Sequence, residues 1–85
     1  MNTIKWTSEA VRQAQKIKDS AQRKAIFDGV CTLADFPNVP NIKRLTDSTV
    51  AYRLRIGSWR VLFDFDGTVC VVTIEEVKKR NERTY

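Results

Sequence analysis

The chain has no histidine, and that absence excludes more chemistry than any other feature. Neither the common Cys/His zinc patterns nor an imidazole general base nor a nucleophile–histidine dyad can be assembled from these residues. Cysteine is scarce as well: Cys31 and Cys70 are too few for a disulfide framework. Apolar runs stop well short of the roughly 18 residues that a membrane-spanning helix requires. The N-terminus carries no apolar signal segment. A reducing cytoplasm, with no membrane attachment, is the expected location. Repeats, low-complexity segments, glycine-rich phosphate loops and paired catalytic carboxylates are missing too. No metal, small-molecule cofactor or prosthetic group is implied.

What is present is positive charge. Against 10 Asp and Glu stand 15 Lys and Arg, leaving +5 and a pI near 9.6, which favours anionic partners such as nucleic acid. A length of 85 residues with 42% hydrophobic content suits one small folded domain spanning 1–85.

The organising stretch is Tyr52 to Ile74, which reads as three strands joined by two tight turns. Gly57-Ser58 suits a II′ turn with glycine first, and Asp66-Gly67 signals a I′ turn. With two residues in each loop, Arg55 faces Arg60 in the first hairpin, and Phe65 faces Thr68 and Phe63 faces Cys70 in the second. Alternation then sorts the side chains into two faces. Tyr52, Leu54, Ile56, Trp59, Val61, Phe63, Phe65, Cys70, Val72 and Ile74 form the core face. The opposite face carries Arg53, Arg55 and Arg60 near its middle, together with Leu62, Asp64, Thr73 and Glu75. Like charges placed opposite one another destabilise a sheet, so the Arg55 and Arg60 pairing calls for an anionic ligand.

The rest of the chain covers this sheet or extends its charge. Thr3 to Thr7 alternates and reads as an edge strand, after which Thr7 or Ser8 caps a helix with Glu9 in its first turn. Ala10, Val11, Ala14 and Ile17 form a narrow apolar stripe. Asp19-Ser20 offers a second cap, and Ile26, Phe27, Val30, Leu33 and Ala34 continue the helical spacing to about Asp35. Gly29 within that helix costs about 1 kcal/mol relative to alanine. Pro37 stops the helix, and Pro37 to Ser48 is expected to be a linker with the basic pair Lys43 and Arg44. Glu75 to Tyr85 is expected to be a tail carrying Lys78, Lys79, Arg80 and Arg83 and ending on tyrosine.

The predicted fold is therefore α+β, in the order β-α-α-β-β-β. An N-terminal strand and a helical hairpin pack on one face of a twisted antiparallel sheet whose other face stays open. Guanidinium forks bind phosphate bidentately, stabilise charge on a transferring phosphoryl group and stay protonated, so arginine is a poor general base. Asp64, among arginines, reads as a salt-bridge partner, and Trp59 reads as core although tryptophan also stacks on bases. A patch that only binds RNA, DNA or an acidic peptide remains open.

The chain resembles the RelE/ParE superfamily of toxins from bacterial toxin–antitoxin modules almost end to end. A short first strand, a helical hairpin and a linker ending in KRL lead into YRLRIGSWRVLF, an Asp-Gly turn and the terminal VKKRNERTY. That basic tail ending on tyrosine is similar to the RelE branch. The resemblance implies a RelE-like fold, a cognate antitoxin as partner, and a ribosome-dependent endoribonuclease that cuts mRNA in the A site. In that chemistry the 2′-hydroxyl attacks the adjacent phosphate, leaving a cyclic phosphate and a free 5′-hydroxyl. By position it implies Arg53, Arg55, Arg60, Lys79, Arg80 and Tyr85 as the catalytic set, with Lys43, Arg44, Lys78 and Arg83 contacting RNA. RelE proteins often have lysines where this chain has Arg53 and Arg55, so Tyr85, Lys79 or a ribosomal group must accept the proton. ParE relatives share the fold and poison DNA gyrase, which leaves gyrase inhibition as the alternative activity.

Overall fold

The computed structural model describes residues 1–80. Strand β1 (Thr3–Trp6) ends where Thr7 takes an extended backbone and its hydroxyl accepts the Ala10 N–H at 3.1 Å, opening helix α1 (Ser8–Gln15). Asp19 repeats the device for helix α2 (Ser20–Cys31), its carboxylate accepting from the Ala21 and Gln22 amides at 2.8 and 3.1 Å. Both caps are those the sequence predicts. The last turn tightens into a 3-10 segment, Thr32–Asp35, just before Pro37. Four further strands follow: β2 (Ile42–Arg44), β3 (Tyr52–Ile56), β4 (Trp59–Asp66) and β5 (Val71–Lys79).

These strands form a mixed sheet in the order β1-β5-β4-β3-β2, with both helices on one face. Two features differ from the expected sheet. The edge strand β1 runs parallel to β5, Thr3 beside Val71 through Trp6 beside Ile74. The expected linker contains strand β2, which pairs antiparallel with β3 and puts Lys43 opposite Arg53.

The first hairpin follows the predicted register, with Ile56 opposite Trp59 and Arg55 opposite Arg60. Gly57 at φ 56° provides the left-handed first position of its two-residue turn. The second hairpin does not follow it. Asp66 pairs with Val71, so the loop holds Gly67, Thr68, Val69 and Cys70, and the Asp66 carboxylate takes the Thr68 N–H at 2.9 Å. Cys70, expected in the core, is exposed at φ 54°.

A β-bulge then interrupts the ladder. Phe63 faces Ile74 while Leu62 faces Glu76, so Glu75 has no opposite number on β4. Beyond the bulge the chain stays in the sheet as far as Lys79 instead of leaving as a tail at Glu75. This register buries Val77 opposite Val61. Burying a valine is worth roughly 1.5–3 kcal/mol. A left-handed non-glycine residue such as Cys70 costs roughly 1–2 kcal/mol, so the longer loop is offset by the longer strand.

The core lies between the helices and one sheet face. Ala10 and Ala14 from α1 and Ile17 just beyond it meet Ile26, Val30 and Leu33 from α2 and the 3-10 turn, above Leu54, Val61, Phe63, Val72, Ile74 and Val77. Phe36 sits edge-on to Tyr52, Phe63 and Phe65, with centroids 5.0, 5.3 and 5.0 Å away. At Gly29 helix α2 packs closely on β3, since a Cβ there would collide with Ile56 Cδ1.

Candidate nucleic-acid interface

The functional candidates collect on the sheet face that bears no helix. Side chains directly opposite on adjacent strands project to the same side. Arg55 on β3, Arg60 on β4 and Lys78 on β5 therefore form one cationic row across three strands. The next row holds Lys43, Arg53, Leu62 and Glu76. Lys78 joins the first row only because of the bulge at Glu75, which resets the alternation of β5.

The two-residue turn organises the arginine row. Arg60 is only 6% exposed, and its Nη1 donates to the carbonyl oxygens of Gly57 and Trp59 at 3.2 and 3.0 Å. Arg55 is exposed and forms no ion pair among the described residues. Arg53 is partly buried and likewise unpaired, and its Nε is shielded from solvent without a hydrogen-bond partner. A buried donor left in this state costs roughly 1–3 kcal/mol, which an anionic acceptor would relieve. At the end of the sheet, Arg55, Lys79 and Arg80 surround an open hollow of about 430 Å³ floored by Gly57 and Ser58. The Arg80 amide donates to the Ser58 carbonyl at 2.7 Å, tying the end of β5 to that turn.

Acidic groups gather at the opposite end of the same face. Asp64 was expected to pair with an arginine, yet its carboxylate accepts the Ala51 N–H at 2.8 Å and makes no ion pair among the described residues. The Glu75 carboxyl is held above the usual carboxylate range, first by burial, then by its hydrogen bond to Asp64 and by the charges of Asp64 and Glu76. Arg60 and Asp64 are four strand residues apart, roughly 13 Å at 3.3 Å per residue. The face is thus polarised, with its purely basic end at the Gly57-Ser58 turn. Lys78 links the two regions through an ion pair with Glu76 at 3.4 Å.

Of the residues singled out in the sequence, Lys43, Arg53, Arg55, Arg60 and Lys78 share the open face, and Lys79 and Arg80 join Arg55 around the hollow. Arg44 lies opposite Tyr52 and so belongs to the helix-bearing side. Tyr85 and Arg83 lie outside the described residues. Sequence reasoning missed the role of the turn carbonyls and the Glu75–Asp64 contact. The signal for the second was the doubled glutamate in VVTIEEVKK, which breaks the alternation where the bulge falls. Among the described residues no cluster of Cys, Asp and Glu is placed to hold a metal ion, and no helix is long and apolar enough to cross a membrane.

Comparison with known proteins agrees with the fold. Solved structures similar in fold include the RelBE2 toxin–antitoxin complex of Mycobacterium tuberculosis, with TM-score 0.78 and 24% identity over 93% of this chain and 98% of that one. The RelE–RelB complex of Pyrococcus horikoshii gives TM-score 0.77 and 21% identity, covering 95% of this chain and 97% of the other. The isolated RelE toxin of E. coli gives 0.78 and 14%, covering 96% and 87%. Among curated proteins no sequence match is found. The sequence profile described as "ParE toxin of type II toxin-antitoxin system, parDE" matches residues 4–83. The chain therefore belongs to the RelE/ParE superfamily of type II toxin–antitoxin toxins.

Proposed function

We propose that this toxin is a ribosome-dependent endoribonuclease that cuts mRNA in the ribosomal A site of the cytoplasm and so stops translation. The observation that carries the reading is the Arg55–Arg60–Lys78 row beside the Arg55, Lys79 and Arg80 hollow, a concentration of cations in which Lys78 pairs with Glu76 and the Asp64–Glu75 carboxyl pair lies toward the other end of the face. Backbone cleavage by the neighbouring 2′-hydroxyl forms a new O–P bond, expels the 5′-oxygen and needs negative charge on the phosphoryl oxygens stabilised. Arg55 and Arg60 supply that stabilisation, with the Arg53 guanidinium in the adjoining row of the same face. The proton of the 2′-hydroxyl goes to Tyr85, Lys79 or a ribosomal group, because arginine remains protonated. Lys43, Lys78 and Arg83 hold flanking phosphates.

The solved structures from M. tuberculosis and P. horikoshii are complexes with an antitoxin. We assign the same class of partner to this chain, with an acidic or amphipathic segment that covers the basic face. A second reading, inhibition of DNA gyrase, is favoured by the ParE description of the matching family. Purified ribosomes programmed with a defined mRNA separate the two. Wild-type protein should yield A-site cuts, and Arg55→Ala, Arg60→Ala and Tyr85→Ala should each slow cutting on the order of a hundredfold. Intact mRNA, together with inhibited gyrase supercoiling, would move the assignment to gyrase.

A further inference from the structure

A second cavity lies directly behind the cationic hollow. Gln22 and Ala25 of α2 and Ile56, Gly57, Ser58 and Trp59 of the first hairpin enclose a largely apolar cleft of about 230 Å³. It shares Gly57 and Ser58 with the hollow of Arg55, Lys79 and Arg80, so the two sites meet across one turn. The cleft has a local cause. Gln22, Ala25 and Gly29 share one face of α2 by their spacing, and the helix meets β3 closely at Gly29. One and two turns earlier, a small alanine and a polar glutamine leave the gap. The indole of Trp59 is held in place by its Nε1, which donates to Gln22 Oε1 at 3.1 Å, leaving the Gln22 amide nitrogen as a donor at the cleft.

We propose that this cleft is a nucleobase subsite: one base of a single-stranded RNA stacks on Trp59 beside Ala25, while its phosphate lies among Arg55, Lys79 and Arg80. The proposal rests on the RNA reading above and extends it by naming the residues that hold a base. Charge and shape both support this occupant. Among the described residues the hollow is lined by three cations and no carboxylate, and the adjoining slot is bounded by a hydrogen-bonded planar ring, a side chain without bulk and a glycine. A base with its phosphate needs that juxtaposition of a flat apolar slot and an anion site. Sequence parity assigns Trp59 to the core side, and there it packs only partly, leaving indole surface for stacking.

The test uses Trp6→Phe protein, in which Trp59 is the remaining tryptophan. Its fluorescence is titrated with a 2′-O-methyl hexaribonucleotide, which cannot be cleaved, and with an abasic oligomer of equal charge. Stacking predicts quenching and about tenfold tighter binding of the base-bearing oligomer. Trp59→Leu, which leaves no tryptophan and is read by the anisotropy of dye-labelled oligomers, should abolish that preference and leave abasic binding unchanged. Ala25→Leu, an exposed helix substitution that fills the slot, should do the same with native circular dichroism. A preference that survives Ala25→Leu, or none in the parent, overturns the subsite. If the abasic oligomer binds with strong salt dependence but bases add nothing, the subsite fails; if neither oligomer binds at low salt, the subsite fails too, and the RNA reading stands or falls separately on cleavage of ribosome-bound mRNA. An acidic peptide bearing one leucine that quenches Trp59 where RNA does not would overturn the proposal and assign the cleft to a protein partner.

Discussion

Replacing Thr7 by valine removes one hydroxyl and little else, yet that hydroxyl joins helix α1 to strand β5. It accepts the Ala10 N–H at the start of α1 and donates to the carbonyl oxygens of Ile74 at 2.9 Å and Glu75 at 3.2 Å. Glu75 is the bulge residue, so Thr7 fastens helix α1 to the irregularity that sets the end of β5. Loss of a helix cap costs about 1 kcal/mol, and loss of a further hydrogen bond about 1 kcal/mol. Against a total stability of roughly 4–13 kcal/mol for a chain of this length, a loss of about 2 kcal/mol is large. Each kcal/mol lowers the melting temperature of a small domain by about 4–8 °C, so Thr7→Val should melt about 8–16 °C below the parent. Thermal unfolding followed by far-UV circular dichroism measures this, with Thr7→Ser, which keeps the hydroxyl, expected to retain more than half of the difference. A Thr7→Val melting point within about 2 °C of the parent, or a serine variant as unstable as the valine one, would refute the assignment.

Gly29→Ala should destabilise the protein by roughly 1 kcal/mol, measured by urea unfolding, although alanine is the better helix former, because its Cβ collides with Ile56. Glu75→Gln should flatten the pH dependence of stability. Burial and the hydrogen bond to Asp64 raise the folded carboxyl above its unfolded value, so the folded state holds the proton more tightly. Its contribution is present below the unfolded pKa and lost as pH rises through the folded one, and the glutamine variant should gain on the parent above that window. Arg55→Ala should lower the slope of log affinity against log salt for single-stranded RNA by about 0.7, the share of one phosphate contact. An unchanged slope would remove Arg55 from the interface.

The parts of this fold that were legible in the sequence are those decided locally. Thr7 and Asp19 cap the helices, Pro37 ends the second, and the Gly57-Ser58 turn fixes Arg55 opposite Arg60. The errors lie where a distant partner decided. Asp66-Gly67 reads as a two-residue turn, but β1 pairs with β5 from Val71 onward and Thr3 takes the Cys70 carbonyl, which favours the longer loop. Val77 looked like part of a charged tail because its burial depends on Val61, reached only through the bulge. The arginines were found because alternation puts them on one face in either register, both differing by an even number of residues. Lys78 was read as part of the tail because its place in the sheet follows the bulge, and Asp64 was assigned to an arginine although its carboxylate meets the Ala51 N–H and Glu75. Helix α2 passes over the first hairpin, and no pattern in either segment alone shows the cleft between Gln22 and Trp59.

On the proposed reading, the basic end of the open face acts on mRNA held by the ribosome. Mapping mRNA 5′ ends in cells after induction tests it most directly, with Arg55→Ala as the control. New ends within translated frames, at the A-site codon, that disappear in the control are the result expected here. Unbroken mRNA, accompanied by DNA damage and loss of supercoiling, would contradict it.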